Sequence, residues 1–181
     1  MWARAGYRDR RPAAERKATT KMLKRNASSL AEVLAGDPGA VSTDFAIHTT
    51  RTSDLIDITD RVATAVGEAD LETGVALVSS PHTTCAVIVN EAEDGFVADF
   101  RRALDNLAPA DADYDHNDAP HAEEFEQPNG YAHVRAAFLS SPSVLLPIVD
   151  GELALGRWQR IFFVELDRAR PRSCRVTLLG S

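Results

Sequence analysis

Long apolar runs are missing from this 181-residue chain. Nothing approaches the roughly 20 apolar residues that cross a bilayer, and the first 25 residues lack the apolar core of a secretory signal. Membrane spanning and export are therefore not expected, and the cytoplasm is the expected compartment. Cysteine is scarce: Cys85 and Cys174 are the only two and lie far apart, which suits buried thiols in a reducing compartment and argues against a disulfide framework. Neither G-x-G-x-x-G nor G-x-x-x-x-G-K occurs, so no dinucleotide or P-loop site is supported. Positive charge is outnumbered in the body of the chain, because nine of the 20 Lys and Arg fall within residues 1–25, opposed there only by Asp9 and Glu15. The remainder is strongly acidic and would repel a phosphate backbone, so nucleic acid is not an expected partner.

What is present is a basic leader followed by one domain. Residues 1–43 read as a flexible N-terminal extension, with a short helix at Ser28–Leu34 and a turn at Gly36-Asp37-Pro38-Gly39. Residues 44–181 are long enough to bury a core without staples. Phe45–His48 reads as a strand, Thr59 or Asp60 as the cap of a helix through Val66, and Gly74–Val78 and Cys85–Val89 as buried strands. Val97, Phe100, Leu104 and Leu107 recur at helical spacing, and Pro109 ends that helix. Residues 110–128 form a polar loop or lid, and Tyr131–Leu139 suits a helix. Strands follow at Ser143–Val149, Glu152–Leu155, Trp158–Leu166 and Arg175–Leu179, with a tight Asp150-Gly151 turn. This pattern predicts a compact α+β fold, a largely antiparallel sheet or sandwich with two to three helices.

Three histidines stand at separate junctions: His82 in Ser-Ser-Pro-His-Thr-Thr, His116 in Asp-Tyr-Asp-His-Asn, and His133 in Asn-Gly-Tyr-Ala-His-Val. Three neutral imidazoles leave a fourth coordination position open, so these are the candidate metal ligands. A divalent metal is expected. Imidazoles favour zinc, while magnesium is the alternative for a diphosphate substrate. Thr83 and Thr84 offer hydroxyls for substrate contact. Asn90 and Glu91 lie where a strand gives way to a helix; Asn90 is a candidate substrate contact and Glu91 a candidate general acid or base. Asp94 is the second catalytic candidate and complements the helix N-terminus. Trp158 beside Gln159 fits a heteroaromatic ring, and Arg170 and Arg172, flanking Pro171, suit phosphate. Cys85 reads as a buried neutral thiol, and His48 and His121 as surface residues.

Asp57-Ile58-Thr59, His82-Thr83-Thr84, Asn90-Glu91 with Asp94, His116, Ala132-His133, Pro147-Ile148 with Gly151, Leu155-Gly156 with Trp158-Gln159, and Glu165 with Asp167 together resemble the YjbQ-like family, often labelled secondary thiamine-phosphate synthases. The resemblance runs from about Asp44 to Gly180. It implies a compact α+β fold, a homotrimer, and a metal held by His82, His116 and His133. It also implies a transferase that joins a hydroxymethylpyrimidine diphosphate to a thiazole phosphate and releases pyrophosphate. The family usually has Thr where this chain has Arg157, and Gly-Pro-Arg where it has Arg168-Ala169-Arg170. The expectation is thus a metal-dependent enzyme acting on phosphorylated small molecules. A hydrolase using a His-bound water, or a noncatalytic metal or small-molecule binding protein, are the alternatives.

Overall fold

Alternation builds the first sheet. Strand β1 (Ala40–His48) pairs antiparallel with β8 (Pro171–Gly180), placing Val41, Thr43, Phe45 and Ile47 opposite Leu178, Val176, Cys174 and Arg172 on one face. The computed structural model describes residues 40–118, 128–139 and 142–181. Strand β8 also pairs with β3 (Thr73–Ser79), β3 with β5 (Ser143–Val149), and β5 with the two-residue β6 (Glu152–Leu153). The order is β1-β8-β3-β5-β6. A second sheet has the order β2-β7-β4, from β2 (Asp54–Asp57), β7 (Gln159–Glu165) and β4 (Cys85–Glu91). Every strand pair among the described residues is antiparallel. The fold is α+β, as the pattern of elements predicts.

The central part of the small sheet is covered on both faces. Val87, Ile161 and Phe163 pack towards the large sheet, among Val78, Leu146, Ile148, Val176 and Leu178. The opposite face, with Ala86, Phe162 and Val164, packs under two helices, α2 (Asp94–Leu107) and α3 (Gly130–Leu139), through Leu104, Tyr131 and Ala132. Helix α1 (Thr59–Glu68) adds Val62, Ala65 and Val66 to the first core. Burial on both sides accounts for the uninterrupted apolar run Ile161-Phe162-Phe163-Val164. Leu145, Leu146, Ile148, Ile161, Phe162 and Phe163 together offer more apolar strand surface than one sheet face requires, which from sequence alone suits burial between subunits; five of them are buried inside one chain, and Leu145 stays 63% exposed.

Several element ends differ from the sequence reading. Strand β1 starts five residues before Phe45, and β2 is an added strand. Residues Ser28–Leu34 and His121 lie outside the described residues. Helix α1 begins at Thr59, but its first amide is capped by Asp57, whose Oδ1 accepts from the Thr59 N–H at 2.9 Å and the Thr59 hydroxyl at 2.7 Å. The Thr59 oxygen is itself occupied, accepting the Ile161 N–H at 2.7 Å. Helix α2 is capped by Glu93, which accepts from Gly95 and Phe96 at 2.7 and 2.8 Å, and Asp94 opens its first turn.

Asp57 also accepts from Arg160 Nε at 2.7 Å. Burial pushes its carboxyl up, yet the hydrogen bonds from Arg160 and Thr59 outweigh that and hold it below 3.8. A folded-state value below the unfolded one stabilises the protein above that pH, and the gain fades on acidification. Asp57→Asn should therefore be less stable at pH 7 by about 1 kcal/mol, with the gap to the parent closing as pH falls below 3.8. Urea denaturation across pH checks it, and a gap that stays constant would refute the assignment.

Candidate functional site

A buried acid in an apolar strand organises one end of the small sheet. Glu165, the last residue of β7, is 0% exposed. Arg172 on β8 is 8% exposed and grips it through Nε–Oε2 at 2.5 Å and Nη2–Oε1 at 2.8 Å. Thr49 donates to the same carboxylate at 3.3 Å and the Asp167 N–H at 3.0 Å. Arg172 Nη2 also reaches the Thr84 hydroxyl at 3.1 Å, and Nη1 makes none of these bonds. Beside this array, Arg170 pairs with Asp167, which takes a hydrogen bond from Asn129 at 3.2 Å. Buried charges are expensive unless paired and hydrogen-bonded, so such an array marks a candidate site on physical grounds.

His82 belongs to the same end. Its Nε2 accepts the Ser173 N–H at 3.0 Å, with the Ser173 hydroxyl at 3.4 Å. Burial first, then the Arg172 and Arg170 charges, hold it below the ordinary imidazole value against an opposing pull from Glu165. Cys85 follows the turn. Burial and then the Glu165 charge push its thiol up to about 12, so it is the neutral buried thiol that the apolar run predicts.

His116 and His133 meet each other. His116 stands in the 3-10 turn Asp115–Asp118 and His133 one turn into α3, their ring centroids 4.4 Å apart and tilted by 51°. Asn117 Oδ1 accepts the Gly130 N–H at 2.9 Å, which ties the turn to the start of the helix. Gly130 has no room for a side chain, because a Cβ would lie 2.5 Å from that of Tyr114. Arg135, 1% exposed, anchors the next turn of α3 through Ala108 O at 2.9 Å, Ser53 Oγ at 3.1 Å and Asp105 at 2.9 Å.

The three-histidine metal centre is corrected by this geometry. Among the described residues no group of three or more His, Cys, Asp or Glu side chains is placed to hold a metal ion. His116 and His133 form a pair without His82, whose Nε2 is taken by a backbone amide. Three-imidazole zinc binding does not fit this arrangement, nor does the metal-binding character expected with it.

The remaining candidates lie elsewhere. Glu91 ends β4 opposite Gln159, six residues from Cys85, which is roughly 20 Å along a strand. Asn90, Glu91 and Asp94 are exposed there, as is Trp158, with the Arg157 guanidinium 4.8 Å over its ring. Gln159 folds back to accept the Gly156 N–H at 2.7 Å. Thr83 is exposed at the His82 turn. Within one chain, then, the phosphate candidates Thr84, Arg170 and Arg172 and the ring and proton candidates Trp158, Gln159 and Glu91 occupy opposite ends of the sheet. Sequence reasoning uses Glu165 and Asp167 only as part of the family resemblance and gives no chemical role to them, to Asn129 or to Ser173. An acid closing the run Ile161–Val164 was the available signal, since a charge at the end of a fully buried strand calls for a partner.

The family described as UPF0047 protein, YjbQ-like, matches residues 43–181. The chain belongs to this family. A UPF0047 protein of Archaeoglobus fulgidus is 37% identical over 136 residues, covering 75% of this chain and 99% of the relative. One from Methanothermobacter thermautotrophicus is 35% identical over 137 residues, covering 76% and 90%. Among solved structures, a YbjQ-like protein of unknown function from Sulfolobus solfataricus superposes with a TM-score of 0.71 at 31% identity, covering 78% of this chain and 98% of that one. An uncharacterized YjbQ/UPF0047 protein from Clostridium acetobutylicum gives 0.66 at 34%, covering 75% and 98%. These relatives support the family and its fold. Their descriptions carry neither a thiamine-phosphate synthase nor a transferase activity, so family membership does not bring one to this chain. No helix among the described residues is long and apolar enough to cross a membrane.

Proposed function

We propose that this protein is an enzyme acting on a phosphorylated small molecule. The observation that carries the reading is the Glu165–Arg172 pair, a buried guanidinium held on two nitrogens and set against Thr84 and the Arg170–Asp167 pair. A guanidinium oriented before a substrate arrives needs little reorganisation to meet phosphate oxygens, which is where such a group is most effective. Glu91 would move a proton, and Trp158 with Gln159 would hold a heteroaromatic ring. In a condensation of the thiamine-phosphate type, the thiazole nitrogen bonds the pyrimidine methylene carbon as the C–O bond breaks. The diphosphate leaves with the bonding pair, and Arg170 and Arg172 take up its charge.

The roughly 20 Å between the two groups favours a site completed by a second copy. Register places Val75, Leu77, Leu145, Pro147, Val149 and Leu179 on one face of the large sheet. Leu145 is 63% and Val149 50% exposed there, an apolar strip suited to a neighbour. We take the assembly to be a homotrimer, and the unpaired Cys85 and Cys174 support a cytoplasmic setting.

The test combines the two thiamine precursors and a panel of phosphate esters with the parent, Arg170→Ala and Glu91→Gln, reading product and released phosphate or pyrophosphate. Arg170→Ala should raise KM about tenfold or more, and Glu91→Gln should lower kcat about 100-fold. Sedimentation should give three copies, with Leu145→Glu shifting the population to single chains. Turnover with none of these compounds would overturn the enzymatic reading, and a single-chain parent would overturn the shared site.

A further inference from the structure

We propose that His82 is a neutral hydrogen-bond donor to an oxyanion, acting through Nδ1–H in a tautomer fixed by the Ser173 backbone amide. The phosphate identity of the oxyanion rests on the function proposed above; the tautomer does not.

The argument starts from the sheet. Strand β3 leaves β8 after the Ser79–Arg175 pair, and two further steps of that register would set Pro81 against Ser173. The chain turns instead at Pro81, with the Cys85 N–H closing onto His82 O at 3.3 Å and the His82 N–H onto Ser80 Oγ at 3.3 Å. The Ser173 N–H meets the imidazole Nε2 at 3.0 Å in place of a strand carbonyl. A backbone N–H can only donate, so Nε2 must present its lone pair, and a neutral ring then carries its proton on Nδ1.

Nδ1 is then the donor of the ring. Among the described residues Nδ1 has no hydrogen-bond partner, and it is not a buried atom left unsatisfied. The Thr84 hydroxyl, two residues on, is bonded to Arg172, whose Nη1 is outside that bond and the pair with Glu165. An imidazole N–H beside guanidinium groups collects donors without adding a further charge, a composition suited to an anion with several oxygens. Ser173 is on this account a positioning residue, acting through its main chain.

Long-range 1H–15N correlation spectra of 15N-labelled full-length protein, with His82 assigned by its loss in His82→Gln, read the tautomer directly. The expected result is a pyridine-type Nε2, a pyrrole-type Nδ1, and movement of the Nδ1 signal on titration with inorganic phosphate. A protonated Nε2, or an Nε2 signal displaced by added zinc, would overturn the proposal. His82→Asn keeps an N–H near the Nδ1 position and should hold phosphate affinity within about threefold, whereas His82→Ala should lose about tenfold. Equal losses would overturn the donor role. If Nδ1 ignores phosphate while Arg170→Ala still raises KM, the role of His82 falls and the proposed function stands; if the tautomer is as stated but no phosphorylated substrate turns over, the reverse holds.

Discussion

Replacing Glu165 by alanine is expected to cost about 3–5 kcal/mol, enough to unfold a large share of molecules in a domain of ordinary stability. Glu165 is fully buried, and removing it strands the Arg172 guanidinium, also buried, with Thr84 as its remaining bond. The loss is therefore the cost of an uncompensated charge more than the worth of the pair. The Asp167 amide would lose its acceptor as well, while Thr49 keeps the Arg170 carbonyl at 3.0 Å. The double variant Glu165→Leu with Arg172→Met separates these effects, since it removes both charges and keeps the volume. It should recover most of the lost stability in urea denaturation at pH 7 while abolishing any phosphate affinity. If Glu165→Ala costs under about 1 kcal/mol, the pair does not hold the junction.

The second large effect comes from a smaller change. Gly74 and Gly180 cross face to face in β3 and β8, where a Cβ on Gly74 would lie 2.2 Å from Leu179 O and one on Gly180 2.3 Å from Thr73 O. The obstacles are main-chain atoms, which a rotamer change cannot clear. Displacing them also strains the bonds by which Ser181 accepts from Glu72 and Thr73 and donates to Thr73, all at 3.0 Å. Gly74→Ala should lower stability by about 3 kcal/mol or more. Gly67, in α1, supplies the contrast: nothing lies within 4 Å of its Cβ position, so Gly67→Ala should be neutral or stabilise by up to about 1 kcal/mol. Thermal and urea unfolding of the two variants together would test whether close approach, rather than loss of glycine itself, governs the cost.

The elements that were legible are those with local signals. The apolar spacing of α2, the run of β7 and the Asp150-Gly151 turn, whose residues have φ of 53° and 76°, need no distant partner to be recognised. Strand β2 was not legible, because Asp54–Asp57 is short, begins and ends in acids, and owes its conformation to pairing with Asp57↔Phe162 and its neighbours on β7. The candidate site divides in the same way. His116 and His133 were identified and do meet, whereas the expected third partner, His82, was drawn away by Ser173, a residue 91 positions later. Glu91 and Arg172 look equally site-like in one dimension. Their separation follows from which end of β4 and β7 each borders, and that is set by sheet register.

The order β1-β8-β3-β5-β6 also bears on how the chain is made. Strand β8 lies between β1 and β3, so the large sheet cannot join its two parts until Pro171–Gly180 has left the ribosome. Until then β1 and β3 each present an open edge, and the faces that will hold Val176 and Leu178 stay wet. Before that point the nascent chain carries unpaired edges and wet apolar faces, the features that favour association between unfinished chains.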